Sequence, residues 1–369
     1  MESIIIAHIY HPGSAASNRI LAYAKEFSEL GMDTILILAS EVPFSKPIIN
    51  NVRIIECYGW HFLLFAKISR EIKRIYDSRD SAILVYGTPL LCWYLPKKKY
   101  NIFYECTEIP FYGRKKTLSS WLKEIIKVFL ARRATGMLVI SKALNSYFEA
   151  QGIKYISVIN MFVDSKRFEN VKTDTDGKYI AYCGTISPFK DGVDCLIKAF
   201  ALFFSTHPNY TLKLIGRFES DDAEKSLKGL VDSLNIANYV EFTGMVKPAE
   251  MPQLLCGANM LALARPDNEQ AKYGFPTKLG EYLATGKPVV VTNVGEIGHF
   301  LKDGVNCKMA KPGDFKDFAN MMAWVAENYD EALKLGAKGK ELTLTAFSSY
   351  EQSRKALDFI NRVVCETGN

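Results

Sequence analysis

Two short segments in the second half of the chain carry residues whose types and spacing suit phosphate binding. The first, Gly184-Thr185-Ile186-Ser187-Pro188-Phe189-Lys190-Asp191-Gly192, follows a β-rich apolar run (179–183) and precedes a helical pattern over Val193–Phe204. A glycine directly after a strand lets the backbone approach a ligand, and a lysine at the next helix's start adds positive charge. An ordinary βα turn with a solvated lysine has the same pattern. The second segment says more. Phe275-Pro276-Thr277-Lys278-Leu279-Gly280-Glu281-Tyr282-Leu283-Ala284 predicts a helix with Pro276 near its first position, Gly274 and Phe275 at its entry and Gly286 as its stop. Backbone N–H groups, the positive end of the helix dipole and Lys278 would converge there on a diphosphate. Glu281 lies three residues beyond Lys278 on the same helical face. A carboxylate in that place suits ribose hydroxyls, from which it accepts hydrogen bonds. A surface helix with a Lys/Glu pair is the plainer alternative, but it leaves the flanking Gly-Phe-Pro-Thr-Lys and Ala-Thr-Gly-Lys-Pro-Val-Val unexplained.

Such segments need a scaffold, and the chain supplies a regular one. Strand-like runs at 3–9, 34–38, 52–56, 81–86, 101–104, 136–140 and 157–159 alternate with helical patterns at 17–30, 61–76, 118–132 and 142–150. After the polar stretch Lys172–Gly177 the alternation restarts at 179–183, 211–215, 239–242, 260–263 and 289–292. This predicts an α/β chain of two doubly wound, Rossmann-like domains, 1–172 and 173–347, with a ligand between them at the carboxyl ends of the strands. The 369 residues, 48 % apolar and 23 % charged, allow two cores and exclude disorder and coiled coil. No run approaches the ~20 apolar residues of a membrane span, and the N-terminus lacks an export-signal pattern. The eight cysteines form no CxxC pair and the five histidines show no ligand spacing, so neither a disulfide framework nor a metal site is expected, and a reducing cytoplasm fits.

Charge is unevenly distributed. Residues 1–172 hold 24 Lys/Arg against 15 Asp/Glu, a net +9, and the remainder is net −3. The basic half concentrates Lys97, Lys98, Lys99, Arg114, Lys115, Lys116, Lys123, Lys127, Arg132 and Arg133 around a helix that carries Trp121, Leu122, Ile125, Ile126 and Phe129. A second basic, apolar stretch runs over 60–76. Helices of this kind suit the headgroup layer of an anionic bilayer, although charge runs are commonly just solvated faces. Nucleic acid is the poorer partner, because no nucleic-acid-binding signature accompanies the charge.

Residues 260–292 strongly resemble the retaining GT-B glycosyltransferases of family 4, group 1, which carry a Glu-x7-Glu motif. Glu281-Tyr-Leu-Ala-Thr-Gly-Lys-Pro-Val-Val290 matches the second half of that motif. The likeness extends to Gly13-Ser14, to 139–168 and to Val240-Glu-Phe-Thr-Gly-Met-Val246, and the chain resembles capsule and O-antigen sugar transferases. It implies a GT-B fold whose last helix, 348–364, returns to the N-terminal domain. It also implies transfer of a sugar, with retention and without a metal or cofactor, from a nucleoside-diphosphate sugar to a glycan or lipid-linked acceptor. Lys190, Lys278 and Arg217 would stabilise the leaving phosphate; Arg217 is equally well a surface arginine. Gly184, Thr185, Gly216, Gly244, Met245, Val246, Glu269, Gln270, Tyr273, Gly274, Phe275, Pro276, Thr277 and Glu281 would surround the donor. The chain departs from the family at Tyr273, which stands where the motif's first glutamate belongs, and at Thr185, where the family has arginine. On the acceptor side the candidates are Gly13, Ser14 and Asn18, where Ser17 as a helix cap is the alternative, and Glu105 with Glu108, one of which could instead pair with Arg114. His8 and His11 are expected to pack. A polyprenyl-diphosphate-linked sugar suits the basic lobe, at the inner face of the plasma membrane. The other readings are a UDP-sugar epimerase of the same fold and a non-catalytic nucleotide-sugar binder.

Overall fold

Apolar runs without polar alternation, such as β1 (Ser3–Ile9) and β4 (Ser81–Tyr86), are what a parallel sheet covered by helices on both faces requires. In the computed structural model, which describes residues 1–76, 81–87, 89–96, 98–110, 118–173 and 177–367, the chain divides into two units. Met1–Phe162 with Ser349–Asn369 forms one, and Val163–Ser348 the other. The first sheet adds β2 (Asp33–Ser40), β3 (Val52–Tyr58), β5 (Ile102–Cys106), β6 (Gly136–Val139) and β7 (Ile156–Val158), in the order β3-β2-β1-β4-β5-β6-β7, all parallel. Its helices are α1 (Ala15–Glu29), α2 (His61–Ile75), α3 (Leu91–Tyr94), α4 (Leu118–Ala131) and α5 (Lys142–Ala150).

The second sheet is β8 (Lys178–Cys183), β9 (Tyr210–Ile215), β10 (Val240–Gly244), β11 (Met260–Leu263), β12 (Val289–Thr292) and β13 (Lys308–Ala310). Its order is β10-β9-β8-β11-β12-β13, again parallel throughout. The helices are α6 (Pro188–Asp191), α7 (Val193–Phe204), α8 (Asp221–Ser233), α9 (Met251–Gly257), α10 (Glu269–Tyr273), α11 (Lys278–Thr285), α12 (Ile297–Phe300), α13 (Phe315–Glu327) and α14 (Tyr329–Glu341). β13 has no counterpart in the sequence reading: three residues beginning with lysine show no period, and only pairing with β12 makes them a strand.

In each sheet the strand order reverses between two neighbours, β1/β4 and β8/β11. Connections leave such a switch point in opposite directions, which opens a crevice at the carboxyl ends of the strands.

The unit boundary lies ten residues before the expected one. Val163 already belongs to the second unit, where its N–H donates to the Phe347 carbonyl at 3.1 Å and its backbone bridges Ser348. The polar stretch Lys172–Gly177 therefore falls inside that unit, and residues 174–176 of it lie outside the described residues.

The last helix, α15 (Ser349–Thr367), closes the core of the first unit. Its Ala356, Leu357, Phe359, Ile360 and Val363 are buried in one cluster with Ile20, Tyr23, Ala24 and Phe27 of α1. At about 1.5–3 kcal/mol for each large apolar side chain fully buried, this helix is integral to the first unit. Ser349 donates to Glu26 at 2.6 Å and the Asn160 N–H donates to the Gln352 side chain at 2.9 Å, fixing the helix register.

Candidate functional site

The switch point of the second sheet brings the two phosphate-type segments together. β8 is followed by Gly184, whose φ of +138° favours glycine, and a Cβ there would lie 2.2 Å from Lys278 Nζ on α11. A side chain at 184 would have to displace the ammonium. Gly216, after β9, is equally constrained: its Cβ would fall 2.0 Å from the Gly184 carbonyl oxygen. Gly244 ends β10 and pairs with Gly216, so three glycines stand side by side at the carboxyl edge of the sheet. Tyr282 fixes α11 against this edge, because its hydroxyl accepts the Cys183 N–H at 2.7 Å.

Lys278 is not a free cation. Its ammonium donates to Asp191 Oδ2 at 2.5 Å and to the Tyr182 hydroxyl at 2.9 Å. Burial alone would raise the Asp191 carboxyl; Lys278, then Arg265 and the two hydrogen bonds, outweigh it and hold it below the usual carboxylate range. Asp191 is 2 % exposed, whereas the Lys278 side chain keeps 15 %. An ammonium has three donors, so one remains. Asp191 thus joins the site although no sequence pattern singles it out; Lys190, its neighbour in α6, is only half-buried. Burial pushes the Cys183 thiol up to about 12, which removes it as a nucleophile at neutral pH.

The entry to α11 differs in detail from the expectation. The helix begins at Lys278 with Thr277 at its cap, so Pro276 precedes the helix and helps form the turn in which the Leu279 N–H donates to its carbonyl at 3.0 Å. Phe275 is a core residue, packed against Phe300 and Phe347 with ring centroids 5.7 and 5.5 Å away. Glu281 is held by Arg167, Nη1 to Oε1 at 3.0 Å, a partner from the turn Ser165–Phe168 that sequence reading did not assign. Tyr273 and Gly274 end α10, with Tyr273 half-buried. Glu269 is exposed, whereas Gln270 is buried and neither polar atom of its amide has a partner among the described residues. Thr185 and Val246 are half-buried, and Met245 and Arg217 are exposed.

The candidates in the first unit separate. Glu105 is not available to an acceptor: it is wholly buried at the end of β5, where its Oε1 accepts from Arg19 Nε at 2.9 Å, Arg19 Nη2 at 2.6 Å and the Tyr23 hydroxyl at 3.0 Å. All five residues of β5 are buried, and strand alternation puts Glu105 on the face of Phe103, which packs with α1 and α15. Glu108, just beyond the strand, is exposed. Arg114 lies outside the described residues. The cap of α1 is Ser14, which accepts the Ser17 N–H at 3.1 Å. Ser17 is instead buried in the first turn and contacts His8 Nε2 at 3.2 Å. Gly13 is exposed and Asn18 half-buried beside that cap. Burial, then His11, lowers His8 to about 3, so it is neutral at physiological pH.

A doubly wound sheet with a glycine shelf and a half-buried lysine at its switch point is an α/β unit of the nucleotide-binding type in architecture, and comparison with known proteins narrows this. The family model of glycosyl transferases group 1 matches residues 177–328, which lie within the second unit. The chain is 26 % identical over 214 residues (53 % of this chain, 51 % of the other) to a Bacillus subtilis (strain 168) protein provisionally named teichuronic acid biosynthesis glycosyltransferase TuaH. It spans about half the length, or less, of the curated relatives it matches. Among solved structures, Anabaena Alr3699/HepE in complex with UDP and glucose superposes with a TM-score of 0.76 at 17 % identity, covering 98 % of this chain and 100 % of that one. Sucrose-phosphate synthase from Thermosynechococcus elongatus gives 0.78 at 14 % identity, covering 99 % and 100 %. The fold is GT-B, with two Rossmann-like parallel-sheet units. The likeness to group 1 glycosyl transferases in sequence is carried by residues 177–328 of the second unit.

Proposed function

We propose that the protein is a retaining glycosyltransferase that moves a sugar from a nucleoside-diphosphate sugar to a glycan or lipid-linked acceptor. The observation that carries this reading is the spare donor of Lys278 beside the bare backbone of Gly184. A diphosphate there would meet one ammonium proton without a side chain in the way. As the leaving nucleoside diphosphate gains charge, Lys278, Lys190 and Arg217 would stabilise it, and one such donor is worth about 2.7–4 kcal/mol in the barrier. Glu281, oriented by Arg167, would accept from the ribose. The base would lie along Gly244, Met245 and Val246, and the sugar near Glu269, Gln270 and Tyr273. The buried, partnerless amide of Gln270 favours a polar ligand group there, because leaving such an amide unpaired costs about 1–3 kcal/mol.

In this reading the leaving phosphate itself helps to accept the acceptor's proton, so neither a metal nor another cofactor takes part. The UDP-bound structural neighbour makes UDP the first nucleotide to try. Gly13, Ser14, Asn18 and Glu108 remain acceptor candidates, and a polyprenyl-diphosphate-linked sugar in surface polysaccharide synthesis fits the basic first unit, in the cytoplasm at the plasma membrane's inner face. The test pairs calorimetry with transfer. UDP should bind to the wild type and weaken at least ~10-fold in Lys278→Met, and radiolabelled sugar should reach a lipid-extractable or glycan product. Interconversion of UDP-sugars without transfer would favour an epimerase, and binding without turnover a non-catalytic binder.

A further inference from the structure

Helices on the outside of a soluble domain turn apolar residues inward and polar ones outward. α4 does not follow this rule. Glu124, Val128 and Ala131, at helical spacing, form its inward side, with Glu124 accepting from Tyr147 at 2.6 Å. The side turned to solvent carries Trp121, Leu122, Ile125, Ile126 and Phe129, of which Trp121, Leu122 and Phe129 are each more than half exposed. Next to it, α3 contacts both α4 and α2 and adds Trp93, again more than half exposed. α2 itself is conventional: Leu64, Phe65, Ile68 and Ile72 are buried. Among the described residues its entry adds apolar surface, through Leu63 and through Trp60 at 83 % exposure. Three of the four tryptophans of the chain therefore stand in solvent on three adjoining elements. Contiguous apolar surface on this scale marks an interaction site.

Its surroundings are basic. Lys67, Arg70 and Lys73 project from α2, Lys98 and Lys99 follow α3, and Arg132 follows α4, all exposed. Arg133 lies over the Trp93 ring at 4.9 Å. Lys97, Arg114, Lys115 and Lys116, and the side chain of Lys123, lie outside the described residues. Protruding tryptophans ringed by lysine and arginine match the layering of an anionic bilayer, with acyl chains below, an interface that favours indole, and negative headgroups above. A face on a second copy of this chain would meet the same positive charge and be repelled.

We infer that the α2–α3–α4 face inserts Trp60, Trp93, Trp121 and Phe129 into the headgroup layer of an anionic membrane. Apolar insertion holds the protein there, and the basic rim selects the lipid charge. The inference bears on the acceptor side of the transferase reading but stands on this surface alone; UDP binding, measured separately, reports on the donor side.

The experiment uses the full chain with vesicles of phosphatidylcholine, pure or with 30 % phosphatidylglycerol. Wild type should bind the anionic vesicles at least ~10-fold more tightly than the neutral ones, with a blue-shifted tryptophan emission that lipid-borne bromine quenches. The double variant Trp121→Glu, Phe129→Glu should lose at least ~10-fold in binding while its thermal unfolding and UDP affinity stay unchanged. Lys98→Glu with Arg132→Glu should abolish the preference for anionic lipid. Equal binding by the double variant, or tryptophans that bromine does not reach, would overturn the inference. So would a lipid-free dimer that the double variant dissociates, which would assign the face to a second copy.

Discussion

Each sheet ends in a buried ion pair near its switch point, and the two pairs differ in what they leave over. In the first unit, Arg19 spends its guanidinium on Glu105 and on the carbonyls of Ile159 and Asn160, and it lies 4.2 Å from the Phe162 ring centroid. Its side chain is 3 % exposed and that of Glu105 0 %. The second carboxylate oxygen of Glu105, Oε2, has no partner among the described residues, but the side chain is wholly enclosed and closed to a ligand. In the second unit, Lys278 spends two donors on Asp191 and Tyr182 and keeps one beside a glycine that leaves room for it. A charge at the end of a parallel strand is thus a fastening when it is wholly enclosed, and a candidate site when a donor is left at an accessible edge.

The largest expected effect lies in the closed pair. Removing one partner of a buried pair strands the other charge, at about 3–5 kcal/mol. Glu105→Leu should therefore lower the urea midpoint of the first unit sharply, or prevent its folding, while UDP binding by whatever folds remains. A loss below about 1 kcal/mol would show that Arg19 finds water and that the pair is not closed. The open pair should behave the other way round. Asp191→Asn and Lys278→Met should each cost activity about 100-fold, close to 2.7 kcal/mol in the barrier, with a smaller loss of stability. Should Lys278→Met unfold the second unit as completely as Glu105→Leu unfolds the first, the contrast disappears and Lys278 becomes a fastening too.

The fold was legible because the central strands, buried on both faces, appear as apolar runs, and twelve of the thirteen described strands lie at or next to runs with a strand-like pattern. The site was legible in part. Lys278 and Glu281 stand out through glycine, proline and helix spacing, but the partner of each is remote in sequence: Asp191 lies 87 residues from Lys278, and Arg167 lies 114 from Glu281. No local pattern encodes those pairings. Glu105 is a different kind of miss. A strand buried on both faces leaves no exposed position for Glu105, and counting by two puts it on the face of Phe103 and His8 on that of Ile4 and Ile6. The apolar outward side of α4 was visible as a helix greasy round most of its circumference, but which residues the sheet would cover depended on packing.

Acid should separate the two units. His8 titrates near 3 in the folded chain and near its ordinary 6.5 in the unfolded one. Between these values only the unfolded state takes up the proton, so stability is full above pH 6.5 and falls as the pH drops, by at most about 1.4 kcal/mol per pH unit. Asp191 has the usual carboxylate sign: depressed in the folded state, it contributes above its ordinary value near 3.8 and loses that contribution as the pH falls through the folded one. Unfolding between pH 6 and 4.5 should therefore weaken the first unit before the second, and His8→Gln should flatten that slope. A wild-type slope unchanged by His8→Gln would mean that the imidazole is reached by solvent.

The smallest effects should come from Glu281 and Arg167, whose side chains keep 20 % and 31 % exposure. Pairs this accessible contribute about 0–1 kcal/mol, so neither Glu281→Gln nor Arg167→Ala should move the unfolding midpoint by much. Their effect should appear in ligand affinity. Arg167 occupies Oε1 of Glu281, and if the carboxylate serves a ribose, that contact already exists in the ground state and changes binding more than turnover. Glu281→Gln should weaken UDP several-fold with little change in maximal rate. Arg167→Ala should weaken it less, because the carboxylate remains but loses its orientation, and Arg167→Lys should recover part of the loss. Calorimetry with UDP and with 2′-deoxy-UDP separates the cases. A ribose contact through the 2′-hydroxyl makes the deoxy nucleotide weaker for the wild type and equal for Glu281→Gln, whereas a pair that only fastens the Ser165–Phe168 turn to α11 leaves all four nucleotide affinities alike.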